Sequence, residues 1–107
     1  MDAERRLRRK ADFERLLRQG ARRTVEGYTF YLTARESGAP RLGLLVSRKH
    51  SPRAVERNRI KRCIREAFRH SQGALGALDV LVRPPYGVKG SRDMILRLRQ
   101  VFSKLKP

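Results

Sequence analysis

The side chains with the clearest chemistry lie between positions 57 and 69, where apolar and basic residues recur at helical spacing. At about 100° per residue, one face of such a helix carries Ile60, Cys63, Ile64, Ala67 and Phe68. The opposite face carries Asn58, Lys61, Arg62, Arg65 and Arg69, and Arg57 and Arg59 flank it. A row of cationic side chains on one face suits the phosphates of a nucleic acid.

Solvation is the alternative explanation for a charged helix face. Solvated faces usually mix charges of both signs, because ion pairs four residues apart stabilise a helix while like pairs cost about 0.2–0.5 kcal/mol each. The two acids of this segment, Glu56 and Glu66, lie off the centre of the basic face. A face that accepts such repulsion is better explained by phosphates, so we predict that it binds RNA or DNA.

The composition also indicates a polyanionic partner. The 107 residues include 27 Lys and Arg against 10 Asp and Glu, which gives a net charge of +17. Like charge of this size in one small domain repels itself and favours nucleic-acid binding. An arginine-rich composition can also reflect a GC-rich genome or adaptation to heat, and composition alone leaves these explanations open.

The sequence offers no pattern typical of a protein catalytic centre. A two-metal nuclease needs clustered carboxylates, whereas the ten acids here are scattered among basic residues. His50 and His70 lie far apart without a carboxylate pattern, and a single cysteine, Cys63, excludes an internal disulfide and a cysteine-based zinc site. Residues 87–90 fit the GxxG loop of KH domains, but the flanking elements do not fit that fold. We therefore assign no catalytic residue and no metal ligand to the protein.

Helices and strands must position the basic face. Their pattern along the sequence predicts a single RNA-binding domain of the α/β (α+β) class over residues 1–107. Three helices are predicted, each with a capping side chain. Asp12 caps the first, which Gly20 ends; Ser51 caps the second, which has Pro52 at its first position and runs to about residue 69; and Ser91 caps the third. Apolar runs predict strands at 28–34, 42–47 and 78–82. The strand at 42–47 is nearly all apolar, which favours a central place in the sheet.

Two faces are predicted for the first of these strands. Tyr28, Phe30 and Leu32 alternate with Thr29, Tyr31 and Thr33. Tyr31 lies on the polar side, so its ring is expected to be exposed. The last helix carries an apolar stripe of Met94, Leu98, Val101, Phe102 and Leu105.

Residues 1–10 are expected to form a flexible basic arm, since the segment 5–10 is too charged for a core. No apolar run approaches the length of a membrane span, and the N-terminus lacks the apolar core of a signal peptide. We therefore expect a cytoplasmic protein with no membrane partner, and the sequence implies no protein partner.

Residues 57–62, extended by residues 65–69, closely resemble the "RNR" signature helix of the ribonuclease P protein family. Residues 42–49 resemble the strand and basic turn that precede this helix in the family. Asp12-Phe13, Tyr31 and Asp79-Val80 resemble further family positions, in order along nearly the whole chain. The RNR triplet alone would be weak, but the extended helix together with the preceding strand is specific.

The resemblance implies a fold and a set of roles. The family has one small mixed sheet of about four strands with three helices, and its βαβ crossover is left-handed, an exception to the usual hand. Family members bind a large catalytic RNA and help it remove the 5′ leader of precursor tRNA. The resemblance assigns catalytic-RNA binding to Arg57, Asn58, Arg59, Lys61, Arg62 and Arg65, with Arg69 at the end of the same basic face. It assigns the leader cleft to Phe13, Leu17, Tyr31, Ser47, Arg48 and Lys49.

Several alternatives stay open at this point. Phe13 could pack in the core instead of stacking on a base, and Leu17 offers apolar contact but no ring. Mg²⁺ is expected to be held by the RNA partner and its substrate rather than by the protein. A structural RNA-binding protein, such as a small ribosomal component, and a self-sufficient nuclease are the competing functions.

Overall fold

The computed structural model describes residues 6–7 and 9–105, which form one four-stranded sheet with helices on both faces. The elements in chain order are α1 (Lys10–Gln19), β1 (Ala21–Val25), β2 (Tyr28–Ala34), β3 (Arg41–Leu44), α2 (Ala54–His70), α3 (Gln72–Leu75), β4 (Leu78–Arg83) and α4 (Arg92–Phe102). The strand order is β1-β2-β4-β3, with β3 parallel to β4 and the other pairs antiparallel. This confirms the mixed sheet of the predicted class; α3 is a short fourth helix. The hand of the β3–α2–β4 crossover stays an expectation from the resemblance.

The larger core lies between the sheet and the two long helices α2 and α4. All five residues of the predicted apolar face of α2 are buried there, as is the predicted stripe of α4. Phe102 packs edge-on against both Phe30 and Phe68, at 5.9 and 6.0 Å between ring centroids. This packing fixes which face of α2 is turned outward.

Two of the three predicted helix caps are wrong. Asp12 lies inside the first turn of α1, near Arg15, and α1 begins after Arg9 without a capping side chain among the described residues. Ser51 caps a turn before α2, where its Oγ accepts a hydrogen bond from the backbone N–H of Arg53 at 3.3 Å. The cap at Ser91 is confirmed, since its Oγ accepts from the N–H of Met94 at 3.2 Å.

The position predicted for the strand at 42–47 is also wrong. It forms the short edge strand β3 and leaves the sheet after Leu44. Both of its faces are apolar because one packs against the larger core and the other against α1. Gly43 is required there, since a Cβ would lie 2.9 Å from Leu81, 3.1 Å from Phe13 and 3.2 Å from Leu7.

Part of the predicted flexible arm lies against this sheet edge. Arg6 pairs with Leu42 in a parallel bridge, and the N–H of Leu7 donates to the carbonyl of Leu42 at 2.8 Å. Leu7 is buried, so the expectation that the charged segment stays out of the core is wrong at this residue. Residues 1–5 and 8 of the predicted arm lie outside the described residues.

Candidate nucleic-acid interface

The outward face of α2 forms one wall of a basic groove. The groove has a volume of about 400 Å³, and its lining residues are Arg6, Asn58, Arg62, Arg65, Glu66 and Arg69. Residues 58, 62, 65 and 69 follow one another at helical spacing, while Arg6 is contributed by the segment beside β3. The structure therefore brings together four of the seven predicted RNA-binding residues and adds a cation that the sequence did not assign to this set.

The cations of the groove are held close together without full neutralisation. Partial burial, and secondarily the nearby charge of Arg6, lowers the pKa of Arg65. The Nε of Arg6 is buried, and no hydrogen-bond partner for it exists among the residues that the structure describes. An anion in the groove would relieve the repulsion among these cations.

Glu66, which the sequence placed off the centre of the basic face, lines the groove and pairs with Arg69. Its carboxylate accepts from the Nε and one terminal nitrogen of Arg69, at 3.3 and 2.7 Å, and lies 2.9 Å from Nε2 of His70. The hydrogen bonds from Arg69 and then His70 lower the pKa of Glu66 to about 2. Arg69, which we predicted to bind RNA, is therefore already paired with an acid one turn away.

The remaining predicted residues of α2 do not face the groove. A terminal nitrogen of Arg57 donates to the carbonyls of Ser51 and Pro52, at 2.9 and 3.0 Å, so this guanidinium ties α2 to the preceding turn. Arg59 lines a separate cavity on the side of α2 next to the β4–α4 loop. Lys61 is half-buried on the other flank. The predicted single face is thus divided among three environments.

The predicted leader site lies on the opposite face of the sheet, beneath α1. Tyr31, predicted to be exposed, is buried with Leu7, Leu16 and Leu81, and half-buried Phe13 packs against the same cluster. The prediction for Tyr31 is wrong because the sheet has helices on both faces, so neither side of β2 stays open here. Leu17 is 45 % exposed on α1.

Ser47, Arg48 and Lys49 form an exposed turn between β3 and α2. The turn is held by His50, which is buried. Nδ1 of His50 accepts from the N–H of Ser47 at 3.0 Å, so the other ring nitrogen, Nε2, donates to the carbonyl of Pro84 at 2.9 Å. His50 thus has a structural role, and the cationic side chains beside it face solvent.

Sequence reasoning missed a buried cluster of charges around Asp79. The carboxylate is fully buried and lies 2.8 Å from Arg41, 2.9 Å from Arg35 and 3.1 Å from Arg15. Burial alone would raise the pKa of Asp79, but hydrogen bonds from Arg41 and Arg15 and the charges of Arg41 and Arg35 lower it below its usual value. Register places Arg41 opposite Asp79, whereas Arg15 and Arg35 are too distant in sequence for any local pattern to reveal the cluster.

Two general features concern the described residues as a set. Between residues 6 and 105, residue 8 excepted, no group of three or more His, Cys, Asp or Glu side chains is arranged to hold a metal ion. No helix in the same part of the chain is long and apolar enough to cross a membrane.

A model of the ribonuclease P family matches residues 1–106. Among curated proteins, the chain is 40% identical over 77 residues to the ribonuclease P protein component of Nitrosococcus oceani, an alignment covering 72% of this chain and 65% of the relative. It is 35% identical over 102 residues to the component of Legionella pneumophila, covering 94% and 88%. The chain thus spans slightly less than two thirds of the first relative and most of the second.

Solved structures show the same likeness. The RNase P protein of Staphylococcus aureus, solved at 2.0 Å, superposes with a TM-score of 0.75 at 31% identity, covering 90% of this chain and 86% of that one. The RNase P protein of Thermotoga maritima gives a TM-score of 0.80 at 25% identity, covering 95% and 98%.

Proposed function

The chain belongs to the ribonuclease P protein family, and from this premise we propose that it is the protein subunit of a ribonucleoprotein that removes the 5′ leader of precursor tRNA in the cytoplasm. The observation that carries the proposal is the groove between Arg6 and α2. Its arginines lie on one side of the molecule, and among the described residues Glu66 is the one acid that lines it. The partner assigned to this groove is the catalytic RNA.

Phosphates explain this groove better than solvent does. Arg62 and Arg65 make no ion pair to another residue in the described part of the chain, and they line the groove together with Arg6. Guanidinium groups donate in a planar fork that fits phosphate oxygens. Each phosphate that binds here also releases counterions, so the affinity should depend strongly on salt.

The leader of the precursor would lie on the α1 side of the sheet. Leu17 and the turn of Ser47, Arg48 and Lys49 offer exposed apolar and cationic contacts to a single strand. Stacking of a base on Tyr31 requires Leu7 to leave the cluster, since Leu7 packs with that ring in the free protein. Leader binding and the position of the N-terminal segment are therefore coupled in this proposal.

The protein supplies charge and position, and the RNA supplies the chemistry. Mg²⁺ held by the catalytic RNA and its substrate would activate the attacking water and stabilise the leaving oxygen. The basic surfaces of the protein would lower the repulsion between two polyanions brought together. Its help should therefore count most when Mg²⁺ is scarce.

Reconstitution tests the proposal. The full chain is combined with a bacterial ribonuclease P RNA from a related organism and with a precursor tRNA, at low Mg²⁺. We expect cleavage at the mature 5′ end that requires both RNA and protein. Cleavage by the protein alone would mean a self-sufficient nuclease, and cleavage by the RNA that the protein leaves unchanged would exclude the proposed role.

A further inference from the structure

The loop between β4 and α4 presents one aromatic ring to solvent. The N–H of Val88 donates to the carbonyl of Pro85 at 3.4 Å, and Gly87 has φ = 84°, so Tyr86 stands at the tip of a tight turn. The side chain of Tyr86 is 60 % exposed. An exposed ring on such a turn is unusual in a chain whose other two tyrosines, Tyr28 and Tyr31, are buried.

The ring of Tyr86 packs against the ring of His50, which is held in place. Its centroid lies 4.6 Å from that of His50, at an interplanar angle of 50°. His50 cannot turn freely, because hydrogen bonds to Ser47 and Pro84 hold both of its ring nitrogens. Little ordering entropy would therefore be lost if a planar group stacked on the exposed part of Tyr86.

Cations surround a cavity next to this ring. The cavity has a volume of about 690 Å³ and lies between the start of α2 and the loop at residues 87–91. Arg53, Arg59 and Lys89 line it. Their side chains make no hydrogen bond or ion pair to any residue in the described ranges 6–7 and 9–105. Within those ranges Glu56 is the one acid in the lining. His50 and Gly87 line the same cavity. The ring of Tyr86 does not line it, but it packs on His50 and precedes Gly87, so it lies at the edge of the cavity that holds the three cations.

We propose that this site binds an unpaired nucleotide of the catalytic RNA, with its base stacked on Tyr86 and its phosphates held by Arg53, Arg59 and Lys89. An aromatic ring beside cations is the combination that binds single-stranded nucleic acid irrespective of sequence. The site rests on the proposed function and extends it to a surface beyond the basic groove. It adds three residues, Arg53, Tyr86 and Lys89, to those predicted from the sequence.

The position of the loop favours the catalytic RNA over the leader. The loop lies on the side of the sheet covered by α2 and α4, where Pro85, Val88 and Lys89 line a small cavity together with Tyr28 and Met94. The predicted leader residues Phe13 and Tyr31 belong to the cluster on the opposite face. The turn of Ser47, Arg48 and Lys49 adjoins the site through His50, so the leader is the competing occupant that the test below must separate. The site also adjoins α2, which carries the basic groove.

Substitutions in the full-length protein separate stacking from charge. For binding to a bacterial ribonuclease P RNA, Tyr86→Leu should weaken the affinity on the order of tenfold with an unchanged salt dependence, and Tyr86→Phe should bind as the wild type does. Arg53→Ala combined with Lys89→Ala should instead reduce the slope of log affinity against log salt by about 1–2. Because Tyr86 is largely exposed, the folded state should survive these changes, and circular dichroism verifies it.

A reporter at the site identifies the RNA that occupies it. The chain contains no tryptophan, so Tyr86→Trp introduces a single indole whose fluorescence should be quenched by the ribonuclease P RNA and not by precursor tRNA alone. Unquenched fluorescence while the RNA is bound, or equal affinity of Tyr86→Leu and wild type, would overturn the inference. Quenching by precursor tRNA but not by mature tRNA would assign the site to the leader and overturn it as well.

A double variant in the groove keeps this test separate from that of the proposed function. If Arg62→Ala with Arg65→Ala weakens RNA binding while Tyr86→Leu does not, the inference fails and the proposed function stands. If neither variant affects RNA binding, the proposed function itself fails.

Discussion

Arginines serve two different ends in the two halves of this molecule. Around Asp79, three guanidinium groups converge on one buried carboxylate on the α1 side of the sheet. Along α2, Arg62 and Arg65 share a groove with Arg6, where partial burial and the charge of Arg6 lower the pKa of Arg65. Arginine side chains thus surround a buried acid in one place, whereas in the other Arg62 and Arg65 make no ion pair within the described part of the chain.

The difference comes from how the chain brings charges together. Asp79 meets its arginines through strand register and tertiary packing, which join β3, β4, α1 and the segment after β2. The basic face of α2 has neighbours only at helical spacing, and within that reach the sequence provides one acid, Glu66, which already binds Arg69. Arg62 and Arg65 therefore have no acidic partner among residues 6–7 and 9–105, at the place where we propose that RNA binds.

The largest expected effect on stability comes from removing the buried carboxylate of Asp79. Asp79→Asn would leave Arg15, Arg35 and Arg41 facing one another without a counter-charge. We expect a loss of about 3 kcal/mol in the free energy of unfolding, the low end of the range for breaking a buried pair, because the three side chains stay 27–35% exposed. Urea denaturation measures it, and a variant as stable as the wild type would show that the cluster does not hold the fold together.

Acid should reveal the same carboxylate in the wild type. The folded-state pKa of Asp79 lies below its ordinary value, so its contribution to stability is complete above about pH 4. The contribution is lost as the pH falls through the folded-state pKa. We expect the stability of Asp79→Asn to decline less steeply than that of the wild type as the pH falls below about 4, the ordinary pKa of an aspartate. Parallel declines in denaturant unfolding would contradict this account.

The smallest expected effect comes from removing the negative charge of Glu66 beside the arginines of α2. Glu66→Gln would free Arg69 and remove the one acid that lines the groove within the described part of the chain. The affinity for the catalytic RNA should therefore rise about two- to fivefold. Glu14→Gln on α1 removes the same charge far from the groove and serves as the control. Filter binding at constant salt measures both, and an equal gain in the two variants would point to net charge rather than to the freed guanidinium.

Helical periodicity predicted the parts of the site that lie on one element. Spacing alone separated the buried and basic faces of α2, since the apolar residues at 60, 63, 64, 67 and 68 all pack into the core. It could not foresee that Arg57 would bind the carbonyls of its own preceding turn. It also could not predict that Arg59 lies outside the groove, because the position of Arg59 depends on where the β4–α4 loop packs against α2.

Contacts between elements that are distant along the chain could not be predicted from the sequence. Strand β1 was missed because residues 22–25 are all exposed and carry no apolar alternation. Tyr31 alternates with threonines as an exposed ring would, yet α1 and Leu7 cover it. Where residues distant along the chain meet, as around Asp79, no local pattern records the contact.

We propose above that Arg62 and Arg65 on α2 bind the catalytic RNA. The most direct test of this claim is the salt dependence of that binding for the wild type, for Arg62→Ala with Arg65→Ala, and for Arg23→Ala with Arg99→Ala. The last pair removes the same charge from exposed positions on β1 and α4. The groove variant should lower the slope of log affinity against log salt by about 1.4–1.8, at 0.7–0.9 for each lost phosphate contact, while the control keeps the wild-type slope. Equal slopes for all three proteins, or an equal reduction in both variants, would contradict the claim.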